Sequence, residues 1–279
     1  MADAEDPART ASVQDLRRTH AGHSIVRTQN FSIERIAGPA TCDFAGADEF
    51  ILLLYTNGAT LTADGDATAL PPRSVVIVPP GKHRVTLDAG EAILLATDRS
   101  DLDVVAVAIN ADAYREPDDR VAPVGDPFAN ASGASGLRVW PIDQVPLPKT
   151  NPRIKFIQSA TMSINWVEYQ GVRDRKALSP HDHADLEQAS LALAGNFVHH
   201  LRYPWSPDAT LWRDDVHAHA GVDSVLVVPP GIIHTSEGSG DGAHLLIDIF
   251  APPRRDFIAR DWMHNAMDYR DPRKPVGSA

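Results

Sequence analysis

The sequence contains little cysteine, since Cys42 is the only one among 279 residues. A single cysteine excludes an intrachain disulfide, and it predicts that no cysteine-based zinc site exists. Long apolar runs are also missing, because no segment approaches the roughly 18 uninterrupted apolar residues of a membrane span. The opening "MADAEDPARTASVQDLRRTH" lacks the apolar core of a secretory signal. These absences predict a cytoplasmic protein without a membrane partner.

Positive charge is scarce as well. The chain has 26 lysines and arginines against 37 acidic residues, which gives a formal charge of −11 and a pI near 5.5. Such a balance argues against nucleic acid or an anionic membrane as the main partner. The hydrophobic fraction of 43% is typical of a globular protein, and the length allows two ordinary domains.

The apolar residues come in short runs, such as "FILLLY", "SVVIV", "AILLA", "SVLVV" and "HLLIDIF". Each run is rich in Val, Ile or Leu and is bounded by turn-forming residues, which is typical of strands rather than helices. The 22 prolines and 18 glycines fit many tight turns. The pattern predicts an all-β fold.

One internal repeat predicts the domain organisation. Residues 74–81 read "SVVIVPPG" and residues 224–231 read "SVLVVPPG", with six of eight positions identical. A repeat at this distance indicates two copies of one domain. We therefore divide the chain, in order, into a flexible N-terminal tail, a first domain, a linker, a second domain and a C-terminal tail: residues 1–20, 21–125, 126–150, 151–262 and 263–279.

Two histidines and a glutamate lie close together in "SPHDHADLE", residues 179–187. Side chains alternate between the faces of a strand, so His181, His183 and Glu187 point the same way if the strand is regular. A break before Glu187 would weaken that argument for the glutamate alone. Burial of these groups is costly without compensation, and imidazole and carboxylate are good ligands for divalent transition metals. His234, after the rigid Pro-Pro-Gly turn, is the best candidate for a fourth ligand.

The second half resembles the cupin superfamily in two motifs: His181-x-His183-xxx-Glu187 with Gly195 downstream, and Pro229-x-Gly231-xx-His234. Together with the repeat, the resemblance implies two tandem jelly-roll β-barrels, a bicupin. It also implies that these three histidines and the glutamate bind one divalent transition metal per chain, which would be Fe, Mn, Ni, Cu, Co or Zn. Family resemblance further implies a homodimer.

The first copy departs from the motif. When Glu49 is matched to Glu187, Asp43 and Ala45 occupy the positions of the histidine pair, and His83 falls one residue short of the position of His234. We expect that the first barrel has lost its metal and serves as scaffold. Asp43, Glu49 and His83 are expected to be solvated surface groups rather than a weaker site.

Other histidines are candidates for a catalytic role. His199 and His200 are adjacent in "NFVHHLRY", so one of the two faces inward and is a candidate acid or base near the metal. A half-buried histidine without a catalytic role is the alternative. His217 and His219 are expected to lie in an exposed loop.

Three functions fit these residues. A metal held by three imidazoles and one carboxylate keeps a net positive charge and two open positions of an octahedral shell. We favour a dioxygenase-like enzyme acting on a small oxygenated metabolite. A sugar or keto-acid isomerase is the alternative, with the inward histidine of the pair as its base. A non-catalytic protein that binds a small ligand is the alternative from another class, since a fold does not dictate function.

Overall fold

The computed structural model describes residues 10–17, 23–97, 107–131, 133 and 135–273, and nearly all of its regular structure is β. The first half contributes β1 (Ser12–Asp15), β2 (His23–Arg27), β3 (Phe31–Ala37), β4 (Ala40–Gly46), β5 (Phe50–Leu54), β6 (Ala59–Ala63), β7 (Asp66–Leu70), β8 (Ser74–Val78), β9 (Gly81–Leu87), β10 (Glu91–Thr97), β11 (Ala129–Asn130) and β12 (Arg138–Pro141). The second half contributes β13 (Phe156–Gln158), β14 (Ser163–Gln170), β15 (Gln188–Ala194), β16 (Asn196–Arg202), β17 (Val216–Ala220), β18 (Ser224–Val228), β19 (Ile233–Ser239), β20 (Ala243–Phe250), α1 (Arg255–Ala259) and β21 (Tyr269–Arg270).

The strands form two barrels, each built from a large and a small antiparallel sheet. In the first barrel the order β12-β8-β5-β10-β3-β2 packs against β4-β9-β6-β7. In the second barrel the order β1-β18-β15-β20-β14-β13 packs against β17-β16-β19. The prediction of an all-β fold with jelly-roll barrels is confirmed. Among the described residues, no helix is long and apolar enough to cross a membrane.

The two large sheets share one apolar core between the barrels. Ile51 and Leu53 of β5 enter this core, as do Ala189 and Leu191 of β15. All four are fully buried, and burial of each large side chain contributes about 1.5–3 kcal/mol. The other face of β5 lines its own barrel, so both faces are buried, and this explains the uninterrupted apolar run "FILLL".

Each large sheet is completed by a segment from outside its own barrel. Strand β1 pairs with β18 of the second barrel, although it precedes the first barrel in the sequence. Strand β12 precedes the second barrel and pairs with β8 of the first. The predicted tail 1–20 and linker 126–150 therefore each contribute one strand to a sheet, and residues 1–9 and 18–20 of the tail lie outside the described residues. Beyond residue 262, β21 pairs with β11, so the predicted C-terminal tail is ordered there as well.

The interiors of the two barrels differ. The first is filled by an apolar cluster that includes Phe50, Leu52 and Val76. Between the sheets of the second barrel lies a cavity of about 540 Å³. The second barrel therefore has a cavity between its sheets that His181, His183 and His234 line.

Candidate metal centre

Three histidines meet in the cavity of the second barrel. The ligating nitrogens of His181, His183 and His234 all lie within 4.8 Å of one another. The backbones of His181 and His234 form a two-way bridge, with N–H···O distances of 3.1 and 2.8 Å. Gly231, whose φ of +80° favours glycine, donates its N–H to the carbonyl of His183. The Pro-Pro-Gly turn therefore holds both motifs together, as the sequence predicted.

Backbone carbonyls fix the tautomers of two of these rings. Nδ1 of His181 lies 2.9 Å from the carbonyl of Ser179, and Nδ1 of His234 lies 2.9 Å from that of Ile232. A carbonyl only accepts, so Nδ1 carries the proton in both rings and Nε2 keeps a free lone pair. Burial lowers the pKa of His234 to about 4. The His234 ring is therefore neutral at working pH and suited to bind a metal.

The fourth polar group beside the histidines is Gln188, which the sequence analysis missed. Its Nε2 donates to Ser190 Oγ at 2.9 Å and to Asp248 Oδ1 at 3.1 Å. Because both donors are used there, Oε1 must point the other way, where it lies 2.8 Å from Nε2 of His183 and 3.2 Å from Nε2 of His234. Asp248 is half-buried, and desolvation of its carboxyl group raises its pKa. The carboxyl group of Asp248 therefore orients an amide oxygen towards the three imidazoles.

The donor set fits a divalent metal. Nε2 of His234 and Oε1 of Gln188 are both acceptors, yet they face each other at 3.2 Å. Two facing lone pairs repel unless a cation lies between them. Three imidazole nitrogens and one amide oxygen are ligands that divalent transition metals accept.

Arg254 contacts the third histidine. Its Nη1 lies 3.2 Å from Nδ1 of His183, and its guanidinium lies over the rings of Phe250 and Phe257. Burial, followed by this guanidinium, lowers the pKa of His183 to about 3. An arginine only donates, so the proton of the neutral His183 ring is on Nε2 here. Binding of a cation at Nε2 therefore requires Arg254 to release this contact.

Loss of the carboxylate behind Gln188 should weaken the centre. We expect Asp248→Ala to lower metal affinity by about 10–100-fold, the usual cost of losing an orienting outer contact. Asn165→Ala is the matched control, because Asn165 donates to the other oxygen of the same carboxylate, at 3.3 Å, and otherwise accepts from the N–H of Lys155. Competition titration against a chelator measures both affinities, and an equal loss in the two variants would contradict this role of Asp248.

Glu187, which the sequence predicted as a ligand, lies on the opposite side of the strand. Gln188 is the first residue of β15 and faces the cavity, so Glu187 faces the first barrel. There it accepts hydrogen bonds from the backbone N–H of Gln29, at 2.7 Å, and from the Tyr114 hydroxyl. It shares a face with Leu191, as expected, but that face belongs to the core between the barrels. The strand is irregular between residues 182 and 187, which is the break that weakens the parity argument.

Glu49 has the equivalent place in the first barrel. It immediately precedes β5, is buried, and accepts from the N–H of Ala160 at 2.9 Å and from Tyr269 at 2.7 Å. It also pairs with Arg138. Glu49 and Glu187, which the sequence match pairs, are therefore equivalent carboxylates. Each accepts hydrogen bonds from the other half of the chain.

His199 and His200 lie on opposite faces of β16. His199 is fully buried, with Nδ1 2.8 Å from Ser236 Oγ, and burial lowers its pKa to about 4. It faces the barrel interior behind Ser236, which lines the cavity. His200 faces the outer surface, 2.8 Å from His217 and 3.0 Å from Glu237. One of the two points inward, as predicted, and its part in catalysis stays a prediction.

The remaining candidates lie apart. Asp43 is exposed and pairs with Arg84 at 2.6 Å, whereas His83 is buried, with Nε2 2.8 Å from the carbonyl of Pro79. The expectation of solvated groups is thus correct for Asp43 and wrong for His83 and for Glu49. His217 and His219 are exposed as expected, although β17, rather than a loop, carries them.

The cavity wall carries four arginines and three aspartates, the latter being Asp182, Asp248 and Asp256. Arg153, Arg173 and Arg260 line it together with Arg254. Arg254 pairs with Asp256 at 2.8 Å. In the described part of the chain, the other three form no ion pair. Burial and the neighbouring Arg153 lower the pKa of Arg173, which shows that the two like charges lie near each other.

Comparison with known proteins finds similar structures but no similar sequence. No family model and no curated protein matches the chain. The crystal structure of the Lactobacillus farciminis oxalate decarboxylase–formate complex aligns with a TM-score of 0.57 at 13% identity, covering 87% of this chain and 86% of that one. The coconut allergen cocosin gives 0.55 at 13% identity, covering 88% and 86%. The Bacillus subtilis oxalate decarboxylase, studied for its Mn(II) centres, gives 0.51 at 12% identity, covering 86% and 77%. This chain therefore shares its fold, two tandem jelly-roll β-barrels, with these solved structures.

Proposed function

We propose that the protein is a metal-dependent enzyme that acts on a small organic anion in the cavity of the second barrel. The metal ligands in this proposal are His181, His183, His234 and Gln188. The observation that carries it is the contact between two acceptors, His234 Nε2 and Gln188 Oε1, at 3.2 Å. The Mn(II) centres of the oxalate decarboxylase of similar fold support manganese, and three imidazoles suit iron as well.

The proposed ligand set carries no charge of its own, because the glutamine replaces the expected glutamate. A divalent metal there would keep its full charge and supply Lewis-acid activation of an oxygen-bearing substrate. The protein's own contribution is orientation and exclusion of water, since His183 and His234 are both more than nine-tenths buried. The first barrel, with its apolar interior, serves as scaffold in this proposal.

The arginines define the substrate class. Three guanidiniums that pair with no carboxylate among the described residues, and a fourth that pairs with Asp256 and contacts His183, attract a carboxylate or enolate. If a metal bound at Nε2 of His183, Arg254 would lose its contact with Nδ1, and its guanidinium could hold a bound anion. A small organic acid fits a cavity of about 540 Å³.

We favour a reaction that consumes dioxygen. The isomerase alternative relied on His199 or His200 as a base that reaches the substrate, but His199 lies behind Ser236 and His200 faces outward. Oxygen uptake by Mn- or Fe-loaded protein, measured with a panel of small carboxylates and enolisable keto acids, tests the proposal. We expect uptake with at least one substrate and none with His183→Ala. Binding without turnover would instead indicate a non-catalytic binding protein, and turnover without uptake would indicate an isomerase.

Removal of one of the cavity arginines, Arg173, should weaken substrate binding more than it lowers the turnover rate. We expect Arg173→Gln to raise KM, or the Kd of oxalate as a probe anion, by roughly 10-fold, because a charged hydrogen bond contributes about 1.5–3 kcal/mol and exposure reduces it. Arg175→Gln is the control, since Arg175 pairs with Glu237 outside this cavity. Equal effects of the two substitutions would contradict an anion site at Arg173.

A further inference from the structure

A second group of potential metal ligands lies in the first barrel. His23, Glu34 and Cys42 bring one nitrogen, one oxygen and one sulfur within 4.8 Å of one another. Nδ1 of His23 lies 2.9 Å from Glu34 Oε1, and Cys42 Sγ lies 3.7 Å from the same oxygen. Ligands of a tetrahedral zinc ion, bound at about 2.0–2.3 Å, are separated by about 3.3–3.8 Å. The three groups are thus spaced so that small side-chain shifts would enclose a cation.

The group lies at a position that corresponds to the wall of the other barrel's cavity. The turn at Thr28 matches the turn at Ser159. Thr28 donates its N–H to the carbonyl of Phe31, and Ser159 donates its N–H to that of Met162, three residues later in each case. By this match Glu34 corresponds to Asn165, which lines the cavity of the second barrel. The first barrel has therefore kept a polar corner here, on the interior face of β3, away from the positions that match the three-histidine centre.

A buried thiol that contacts a carboxylate is an unusual arrangement without a cation. Cys42 is buried in the apolar cluster with its sulfur against a carboxylate. A divalent cation would favour the thiolate here, because thiolate and carboxylate together neutralise its charge. His23 is 35% exposed at its side chain, which gives a cation an entry path and room for a water as fourth ligand.

We propose that His23, Glu34 and Cys42 form a second metal site, selective for zinc. A thiolate, an imidazole and a carboxylate match the preferences of Zn²⁺, whereas manganese prefers sites without sulfur. This proposal departs from the prediction that no cysteine-based zinc site exists, because His23 of β2 and Glu34 of β3 would supply the other two protein ligands. The site is independent of the centre in the second barrel.

Zinc stoichiometry in a background without the first centre tests this proposal. His183→Ala protein, reloaded with zinc and desalted, should keep about one zinc per chain by plasma mass spectrometry. Adding His23→Ala or Cys42→Ser should remove it. His23 is partly exposed, so its replacement should leave the fold intact even if a change at the buried cysteine does not. Cobalt-loaded His183→Ala should also show a thiolate-to-cobalt charge-transfer band that Cys42→Ser lacks.

Two results would overturn the proposal. One is a zinc content in His183→Ala that does not fall when His23→Ala is added. The other is a His183→Ala protein that holds no zinc after reloading while it remains folded by circular dichroism. Neither result bears on the three-histidine centre, because that centre is removed in every variant of the series.

Discussion

Replacement of His234 by alanine is expected to weaken divalent-metal binding by more than about 100-fold and to abolish metal-dependent turnover. The loss should exceed the 10–100-fold cost of removing an outer contact, because His234 would be a direct ligand. Its Nε2 faces Gln188 Oε1, and its backbone bridges to His181. Titration with Mn²⁺, followed by the electron paramagnetic resonance signal of free manganese, measures the change.

His200→Ala is the matched control for that experiment. His200 lies on the neighbouring strand β16, but its ring faces the outer surface, where it contacts His217 and Glu237. It should therefore keep the manganese affinity of the unmodified protein. Stoichiometric manganese in His234→Ala, with affinity unchanged, would contradict the assignment of the ligands.

Glu187→Gln is expected to remove a pH-dependent loss of stability. Burial raises the pKa of Glu187 to about 7 from an ordinary value of 4.5. A raised pKa means that the folded state retains the proton, so this group's contribution is fully present below pH 4.5 and is lost as pH rises through 7. The loss is about 3 kcal/mol. A glutamine keeps the acceptor for the Gln29 N–H and donates to the Tyr114 oxygen, but it does not titrate.

The difference in stability between Glu187→Gln and the unmodified protein, compared at two pH values, isolates the contribution of this carboxyl group. Urea denaturation at pH 5 and pH 8 gives both free energies of unfolding, and contributions of the buried histidines cancel in the comparison. The variant should gain about 3 kcal/mol relative to the unmodified protein between these pH values. Glu49→Gln is the control and should destabilise at both, because it breaks the buried pair with Arg138. A constant difference between Glu187→Gln and the unmodified protein would contradict the expected pH dependence.

The sequence predicted the structure best where the spacing of apolar residues along a strand and the residues of a turn decide it. Short apolar runs and the repeated Pro-Pro-Gly turn predicted strands and duplication, because both depend on neighbouring residues. The three histidines were found for the same reason, since His181 and His183 are separated by one residue and the turn fixes His234. The fourth group was missed because the irregular segment before β15 shifts the parity by one residue.

A signal for Gln188 was present in the sequence. Strand β15 reads "QASLALA", and its apolar residues Leu191 and Leu193 alternate with smaller or polar ones. Gln188 lines the cavity, and the face with the leucines enters the core between the barrels. The sequence does not tell which face meets which partner, because this depends on how the two barrels pack. Glu187 was therefore assigned to the wrong side.

The edge strands β1 and β12 could not be predicted for a related reason. Strands β1 and β12 are only four residues long, and neither alternates in a way that separates it from a polar connection. Their partners, β18 and β8, lie far away in sequence. Such pairing is decided by the assembled sheets rather than by local preference.

The most direct test of the central claim, that three histidines and Gln188 hold one metal, is anomalous X-ray diffraction from manganese-loaded crystals. The account predicts one peak in the second barrel, about 2 Å from Nε2 of His181, His183 and His234 and from Oε1 of Gln188. It also predicts that Glu187 stays against Gln29 and Tyr114. The absence of a peak between these four groups, or a peak bound by Glu187, would contradict the account.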